Sequence, residues 1–457
     1  MTKVGIEAMY VYSPEYYVDN AELATARGMA PKHFTEGVGV KTFSVPPPNE
    51  DQSSMAATAA YRLMETYKIS PKDIFRVDTP TESGLDGSRA LVSDVVGMLE
   101  QVYGSGSLSH VLGYEQKFAC VSGMERYLDT SAWFAAGWNT SKYALIVATD
   151  IAKYDLKSRE EPTQGAAAAA VLVGKDPKLL EIIPGAFGSA LRHEKGDFKK
   201  PGGRKVALVD GMRSYGSYLS EMKLAWLNFQ TAATRAGMVK QAGDYATIDG
   251  IDRAIYHNPH KKMVISAYAS LLMHEWRSLP RWKEVVTSIG EEPSREGMDD
   301  VTYYMGDPYQ DFRRKFMNST AFVDDFARRV GSSLLAPELV GNSYSVSVFV
   351  GLDSLFENDG EDLGRKKVVL CGYGSGSHAV IQANVVPEAY KEISKNFDLM
   401  SQLNARKKLS IEEYEKVHSG QIAPTEWPSG SSRRFVLNSI GQDGTRAEGD
   451  RDYTLRN

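Results

Sequence analysis

The stretch Lys117-Phe118-Ala119-Cys120-Val121-Ser122-Gly123 joins a run that reads as buried to a helix-like segment from Met124 to Trp138. A thiol at such a junction faces the positive end of a helix, where unpaired backbone N–H groups favour the thiolate. Cys120 is therefore the nucleophile candidate in a chain with two cysteines. Free cysteine is also commonly buried as a small hydrophobe, so the assignment rests on its neighbours along the chain. Downstream lies Tyr143-Ala144-Leu145-Ile146-Val147-Ala148, a short apolar strand suited to the centre of a sheet covered on both faces. A turn follows, then the small-residue strand from Gly165 to Gly174.

The later chain repeats this order. Gly341-Asn342-Ser343-Tyr344 precedes a helix through Phe356, a strand from Lys367 to Leu370, the turn Gly372-Tyr373-Gly374-Ser375-Gly376 and a strand from Ala379 to Val386. Residue identity barely matches, but the succession of elements does, which predicts two similar halves packed as α/β layers. Upstream, Val4 to Tyr12 reads as a strand, and Ser53 is placed to cap a helix through Tyr67. Ile74 to Asp78 reads as a strand ending in Thr79-Pro80-Thr81-Glu82-Ser83, and Ala90 to Val102 as a helix.

Two segments fall outside the repeat. Residues 267–329 are charged, rich in Trp, Met and Tyr, and broken by Pro280, Pro293 and Pro308, which predicts a mostly helical insertion. After Val386 come a helix from Ser410 to Val417, a Pro/Gly/Ser stretch from Pro424 to Ser432, and a hairpin-like pair around Phe435 to Ser439 and Arg451 to Leu455. The expected divisions are 1–186, 187–387 with the insertion, and a C-terminal appendage over 388–457.

Composition excludes several classes of function. The 457 residues are 42% hydrophobic and 24% charged, enough for two or three domain-sized units with large cores. A net charge of −5 gives no reason to expect nucleic acid as a partner. Two cysteines cannot form a disulfide framework, and no N-terminal apolar segment resembles a secretion signal, so a reducing cytoplasm is expected. The longest small apolar run, Ala166 to Val173, falls short of the roughly 18 to 20 residues that cross a bilayer, so no membrane association is expected.

Four motifs carry a resemblance: Thr81-Glu82-Ser83 after a strand, Phe118-Ala119-Cys120 before a helix, Tyr256-His257-Asn258-Pro259, and Gly341-Asn342-Ser343-Tyr344. Asp150-Ile151-Ala152 with Tyr154, Pro162-Thr163-Gln164-Gly165, Val209-Asp210-Gly211 and Tyr373-Gly374-Ser375-Gly376 add weaker matches. In this order and spacing the chain resembles the 3-hydroxy-3-methylglutaryl-CoA synthases of the thiolase superfamily, nearest to the longer archaeal members. The resemblance runs from Val4 nearly to the C-terminus.

It implies a thiolase-like α/β fold, two pseudo-duplicated halves in an αβαβα core. It also implies condensation of acetyl-CoA with acetoacetyl-CoA and water, on the mevalonate route to isoprenoids. An acetyl methyl is a weak carbon acid and no decarboxylation supplies the carbanion, so the reaction needs a base as well as a nucleophile. By resemblance Cys120 holds the acetyl group, Glu82 is the base, and His257 and Asn342 polarise the acceptor ketone. Tyr154, Thr163 and Ser375 would bind substrate, and Lys262 would lie near the CoA phosphates. CoA thioesters are then substrates, with no permanently bound cofactor, and Cys371 and the eight histidines show no metal-ligand spacing. A homodimer, and association with the thiolase that makes acetoacetyl-CoA, belong to the same expectation.

The chain departs from the family where many relatives carry Tyr-Gly-Gly after the cysteine and this one has Val121-Ser122-Gly123, and at His260, which follows the proline. Two other readings stay open. One is a ketoacyl-synthase or polyketide β-branching enzyme using acyl carrier protein substrates. The other is a non-catalytic acyl-CoA-binding scaffold, which would form no acetyl adduct.

Overall fold

Alternating apolar strands and half-buried helices build one mixed sheet in the computed structural model, which describes residues 2–202, 204, 206–238, 246–428 and 433–456. The strands of this sheet are β1 (Val4–Tyr12), β2 (Ile74–Pro80), β3 (Leu112–Gln116), β4 (Tyr143–Ala152), β5 (Gly165–Lys175), β6 (Leu180–Leu191), β7 (Arg253–Tyr256), β8 (Lys367–Gly374) and β9 (His378–Val385). They lie side by side in the order β7-β8-β9-β6-β1-β5-β4-β2-β3. Pairing is parallel between β2 and its neighbours β3 and β4 and between β7 and β8, and antiparallel elsewhere. The order is one pattern used twice: β1-β5-β4-β2 and β6-β9-β8-β7 meet back to back, where Gly5 faces Glu181 and Ile6 faces Leu180.

Helices complete five layers, the thiolase-like αβαβα arrangement. Helix α1 (Gln52–Tyr67) covers β1, β4 and β5 on the outside of the first half, with α2 (Val92–Tyr103) beside it. Between the two half-sheets run α3 (Ser122–Ala135) and its counterpart, the helix Ser347–Asn358. Their contact is close: a side chain on Gly123 would place its Cβ 2.3 Å from the Ser345 carbonyl oxygen, so only glycine fits. Helix α4 (Gly211–Arg235) covers β6 and β9 on the far side. The fully buried alanines 166–170 of β5 leave room for helices on both faces of that strand.

Element edges differ from the sequence reading for local reasons. Helix α1 is capped by Asp51, not Ser53. The Asp51 carboxylate accepts from the Ser54 N–H while Ser54 Oγ accepts from the Asp51 N–H, each at 2.9 Å, and Ser53 instead bonds Asp94. Helix α3 stops at Ala135, before Gly137 takes a left-handed φ of 76°. Residue 267, where the helical insertion is expected to begin, falls inside α5 (Lys261–Trp276), whose buried face already includes Met263 and Val264, so the helical run starts at Lys261. It continues through α6 (Pro280–Ile289), α7 (Asp300–Met305), α8 (Asp307–Met317) and α9 (Thr320–Arg329). These helices share a core with α4 built on Trp226, Tyr268 and Phe316.

The C-terminal residues form a helix over Ile411–Ser419 and a hairpin of Arg434–Ile440 with Arg451–Arg456, while 429–432 of the predicted Pro/Gly/Ser stretch lie outside the described residues. The hairpin is locked to the first half by Arg434, buried in ion pairs with Glu15 (2.5 Å) and Glu50 (2.7 Å), and by Phe435 edge-on to Tyr61. No helix among the described residues is long and apolar enough to cross a membrane.

Candidate active site

The chain enters α3 through a sharp bend. Ala119 takes φ 43°, a left-handed conformation that costs a non-glycine residue about 1–2 kcal/mol, and Cys120 follows it at the head of the helix. The second half repeats the bend: Tyr344 has φ 44° and precedes Ser345-Val346-Ser347, just as Ala119 precedes Cys120-Val121-Ser122. Ser345 thus occupies the position in the second half that Cys120 holds in the first.

Cys120 Sγ–H donates to Glu82 Oε2 at 2.9 Å. Burial pushes the Glu82 carboxyl up to about 8, against the lowering effect of that hydrogen bond. Burial, then the neighbouring Glu82 charge, pushes the Cys120 thiol well above its ordinary range. This corrects the expectation of a thiolate resting at a helix terminus. The sulfur sits among Ala152, Tyr154 and Tyr344, and desolvation there outweighs the helix end.

Asp150 fixes the Glu82 turn. One of its buried carboxylate oxygens accepts from the Glu82 N–H, the Ser83 N–H and the Thr81 and Ser83 hydroxyls, at 2.6–2.9 Å. The other accepts from the Ser345 N–H (3.0 Å) and hydroxyl, tying the Glu82 turn to the bend of the second half.

His257 closes the opposite wall. Its Nδ1 meets Ser347 Oγ at 2.5 Å, its carbonyl accepts from Tyr218 at 2.7 Å, and burial pushes its imidazole down to about 3, leaving it neutral. Asn342 accepts from the Tyr344 N–H through Oδ1 at 3.0 Å, and its Nδ2 lies 3.5 Å from the Tyr154 hydroxyl. A cavity of about 640 Å³ brings together Cys120, Tyr154, Thr163, His257, Asn342 and Ser375. Glu82 joins them through Cys120. Lys262 stands apart: it is exposed on the first turn of α5, next to His260 and Met263, which do line the cavity. Among the described residues no three His, Cys, Asp or Glu side chains are grouped to hold a metal ion.

Sequence reasoning assigned no role to Asp150 or Ser347. The signals were present: a carboxylate just past the apolar run Ala144 to Ala148, and Ser345-Val346-Ser347 echoing Cys120-Val121-Ser122.

A five-layered duplicated fold, with a thiol–carboxyl pair from one half facing a histidine and an asparagine from the other, defines a condensing enzyme of thiolase type. The chain belongs to the hydroxymethylglutaryl-CoA synthase family: the N-terminal family model matches residues 1–178 and the C-terminal model residues 188–421. It is 33% identical over 427 residues to the hydroxymethylglutaryl-CoA synthase of Haloferax volcanii, covering 92% of each chain. A solved structure of MvaS in complex with 3-hydroxy-3-methylglutaryl coenzyme A is 30% identical, with a TM-score of 0.83 and full coverage of both chains. The curacin-pathway HMG synthase in complex with apo donor-ACP shares the fold at 24% identity and a TM-score of 0.79, over 99% of this chain and 100% of that one.

Proposed function

We propose that the protein condenses acetyl-CoA with acetoacetyl-CoA and water to give 3-hydroxy-3-methylglutaryl-CoA and CoA, feeding the mevalonate route. The observation that carries this reading is the 2.9 Å contact of Cys120 with Glu82 beside a cavity shared with His257 and Asn342. In this reading residues 1–186 supply the nucleophile and base, 187–387 the electrophilic donors, and 388–457 the appendage.

The proton of the Cys120 thiol passes to the departing CoA sulfur as the Cys120 sulfur attacks the acetyl thioester, so acetylation needs no proton acceptor beyond the leaving group. Glu82, as a carboxylate, removes a proton from the acetyl methyl, and the carbanion attacks the ketone of acetoacetyl-CoA. Its raised affinity for protons makes it a stronger base than a solvated carboxylate. Ser347 Oγ accepts from the Asn258 N–H at 3.4 Å, which frees its own proton for His257 Nδ1 and leaves Nε2–H as a donor into the cavity. That donor and the Asn342 amide would stabilise the alkoxide until it takes up the proton held by Glu82, which returns the base to its carboxylate form. Water then releases the product from Cys120.

Tyr154, Thr163 and Ser375 would hold the acyl groups and Lys262 a CoA phosphate. The exposed edge strand β3, where Leu112 and Tyr114 are open to solvent, supports the expected homodimer as a surface for pairing. A cytoplasmic setting and association with an acetoacetyl-CoA-forming thiolase complete the proposal.

The test is mass spectrometry after incubation with acetyl-CoA, with peptide mapping. Acetyl label is expected on Cys120 and not on Cys371, which is wholly buried in β8 with its thiol pushed far up by desolvation. Label on Cys371, or on neither cysteine, contradicts the assignment.

A further inference from the structure

Glu82 does not line the cavity that holds Cys120. It borders a second one, of about 380 Å³, whose wall includes Ala119 and Phe198 and whose rim carries the exposed lysines Lys117, Lys199 and Lys200. Phe198 and Ser375 line both cavities and so form the partition between them. The Cys120–Glu82 pair therefore spans the partition, with the thiol facing one chamber and the carboxyl the other.

This matters for the last step of the proposed reaction, on which the inference rests. After condensation the acyl group is bonded to Cys120 at one end and to CoA at the other. The pantetheine chain then fills the larger cavity and shields the Cys120 thioester from solvent on that side. Water must reach the thioester carbon from elsewhere, and the chamber behind Glu82 opens directly onto the base.

We propose that the lysine-rimmed chamber behind Glu82 is the route by which the hydrolytic water reaches the Cys120 thioester. The water oxygen bonds to the thioester carbon, the carbon–sulfur bond breaks, and one water proton passes through Glu82 to the Cys120 sulfur. The new carboxylic acid loses the other proton to solvent. Its carboxylate forms at the partition, where the three ammonium groups favour an anion.

The experiment fills the chamber. Lys117→Trp and Lys200→Trp each add bulk from an exposed position, and Lys200→Met removes the charge without the bulk. In single turnovers with acetyl-CoA followed by acetoacetyl-CoA, intact mass reports the acetyl and condensed adducts on Cys120. Both Trp variants should acetylate at close to the wild-type rate, which shows that they are folded. They should also clear acetyl-enzyme normally in the absence of acceptor, because the larger cavity is then open. The condensed, CoA-bearing adduct should persist at least about tenfold longer than in wild type, and Lys200→Met should clear it within about threefold of wild type. Trp variants that clear the condensed adduct at the wild-type rate overturn the proposal. So does a Lys200→Met variant as slow as the Trp variants, because charge and not passage would then be at work. If the wild-type protein forms no condensed adduct on Cys120, the functional reading itself fails.

Discussion

Glu82 carries the strongest consequence at the scale of single residues. Its carboxyl holds a proton up to about 8, against an ordinary value of 4.5, because the folded chain desolvates it. Between those two values the folded state binds more protons than the unfolded state, so this residue's contribution to stability falls as pH rises through the window. Glu82→Gln removes that penalty. Its melting temperature relative to wild type should therefore climb from pH 5 to pH 8.5 in paired thermal scans, and a constant difference would place the Glu82 carboxyl in a solvated environment. On the opposite wall, His257→Ala should still acetylate Cys120 but lose affinity for acetoacetyl-CoA, read as a raised KM for the second substrate with acetylation unchanged. Glu82, Cys120, His257 and Asn342 stood out in the sequence because each sits in a short motif, and for Glu82, Cys120 and Asn342 that motif lies beside a predicted element edge. The protonation state of Cys120 was not. Helix position is visible in a sequence, but the burial that holds the proton on sulfur depends on Tyr154 and Tyr344, which come from elsewhere in the chain.

At the scale of elements, the appendage helix Ile411–Ser419 buttresses the site. His418 Nε2 lies 2.8 Å from the Tyr154 carbonyl and 3.2 Å from Gln164 Oε1, and Gln164 donates to the Tyr414 hydroxyl at 2.6 Å. The Tyr154 N–H in turn bonds Gln164 at 2.9 Å. His418→Ala should loosen this support and raise the KM for the acyl substrates about fivefold, as expected for one lost hydrogen bond of about 1 kcal/mol, with the yield of acetyl-Cys120 unchanged. An unaltered KM would make the helix a passive cover. The helix itself was readable from Ser410 at its start, but its partnership with Tyr154 joins residues 264 positions apart, which no local pattern reveals. Strand β1 was read to its ends because apolar residues, interrupted by Gly5 and Glu7, run from Val4 to Tyr12, and the Asp51 cap was missed because Ser53 offered the same chemistry two residues later.

For the whole molecule, duplication explains why the site is where it is. The same bend, at Ala119 and again at Tyr344, starts two helices that meet between the half-sheets, and Asp150 ties the second bend to the turn that carries Glu82. Asp150→Asn should keep the fold but misplace Glu82, cutting condensation more than acetylation, because the amide nitrogen cannot accept the donors that now converge on the carboxylate. The repeat was visible as an order of elements, whereas the meeting of the bends required the layers to be stacked. The central claim is that acetylation and carbon–carbon bond formation are divided between Cys120 and Glu82, and Glu82→Ala tests it most directly. Rapid quench with acetyl-CoA and then acetoacetyl-CoA should show acetyl-Cys120 forming at close to the wild-type rate and condensation slowed at least about a hundredfold. A folded Glu82→Ala protein that condenses at nearly full speed would contradict the account.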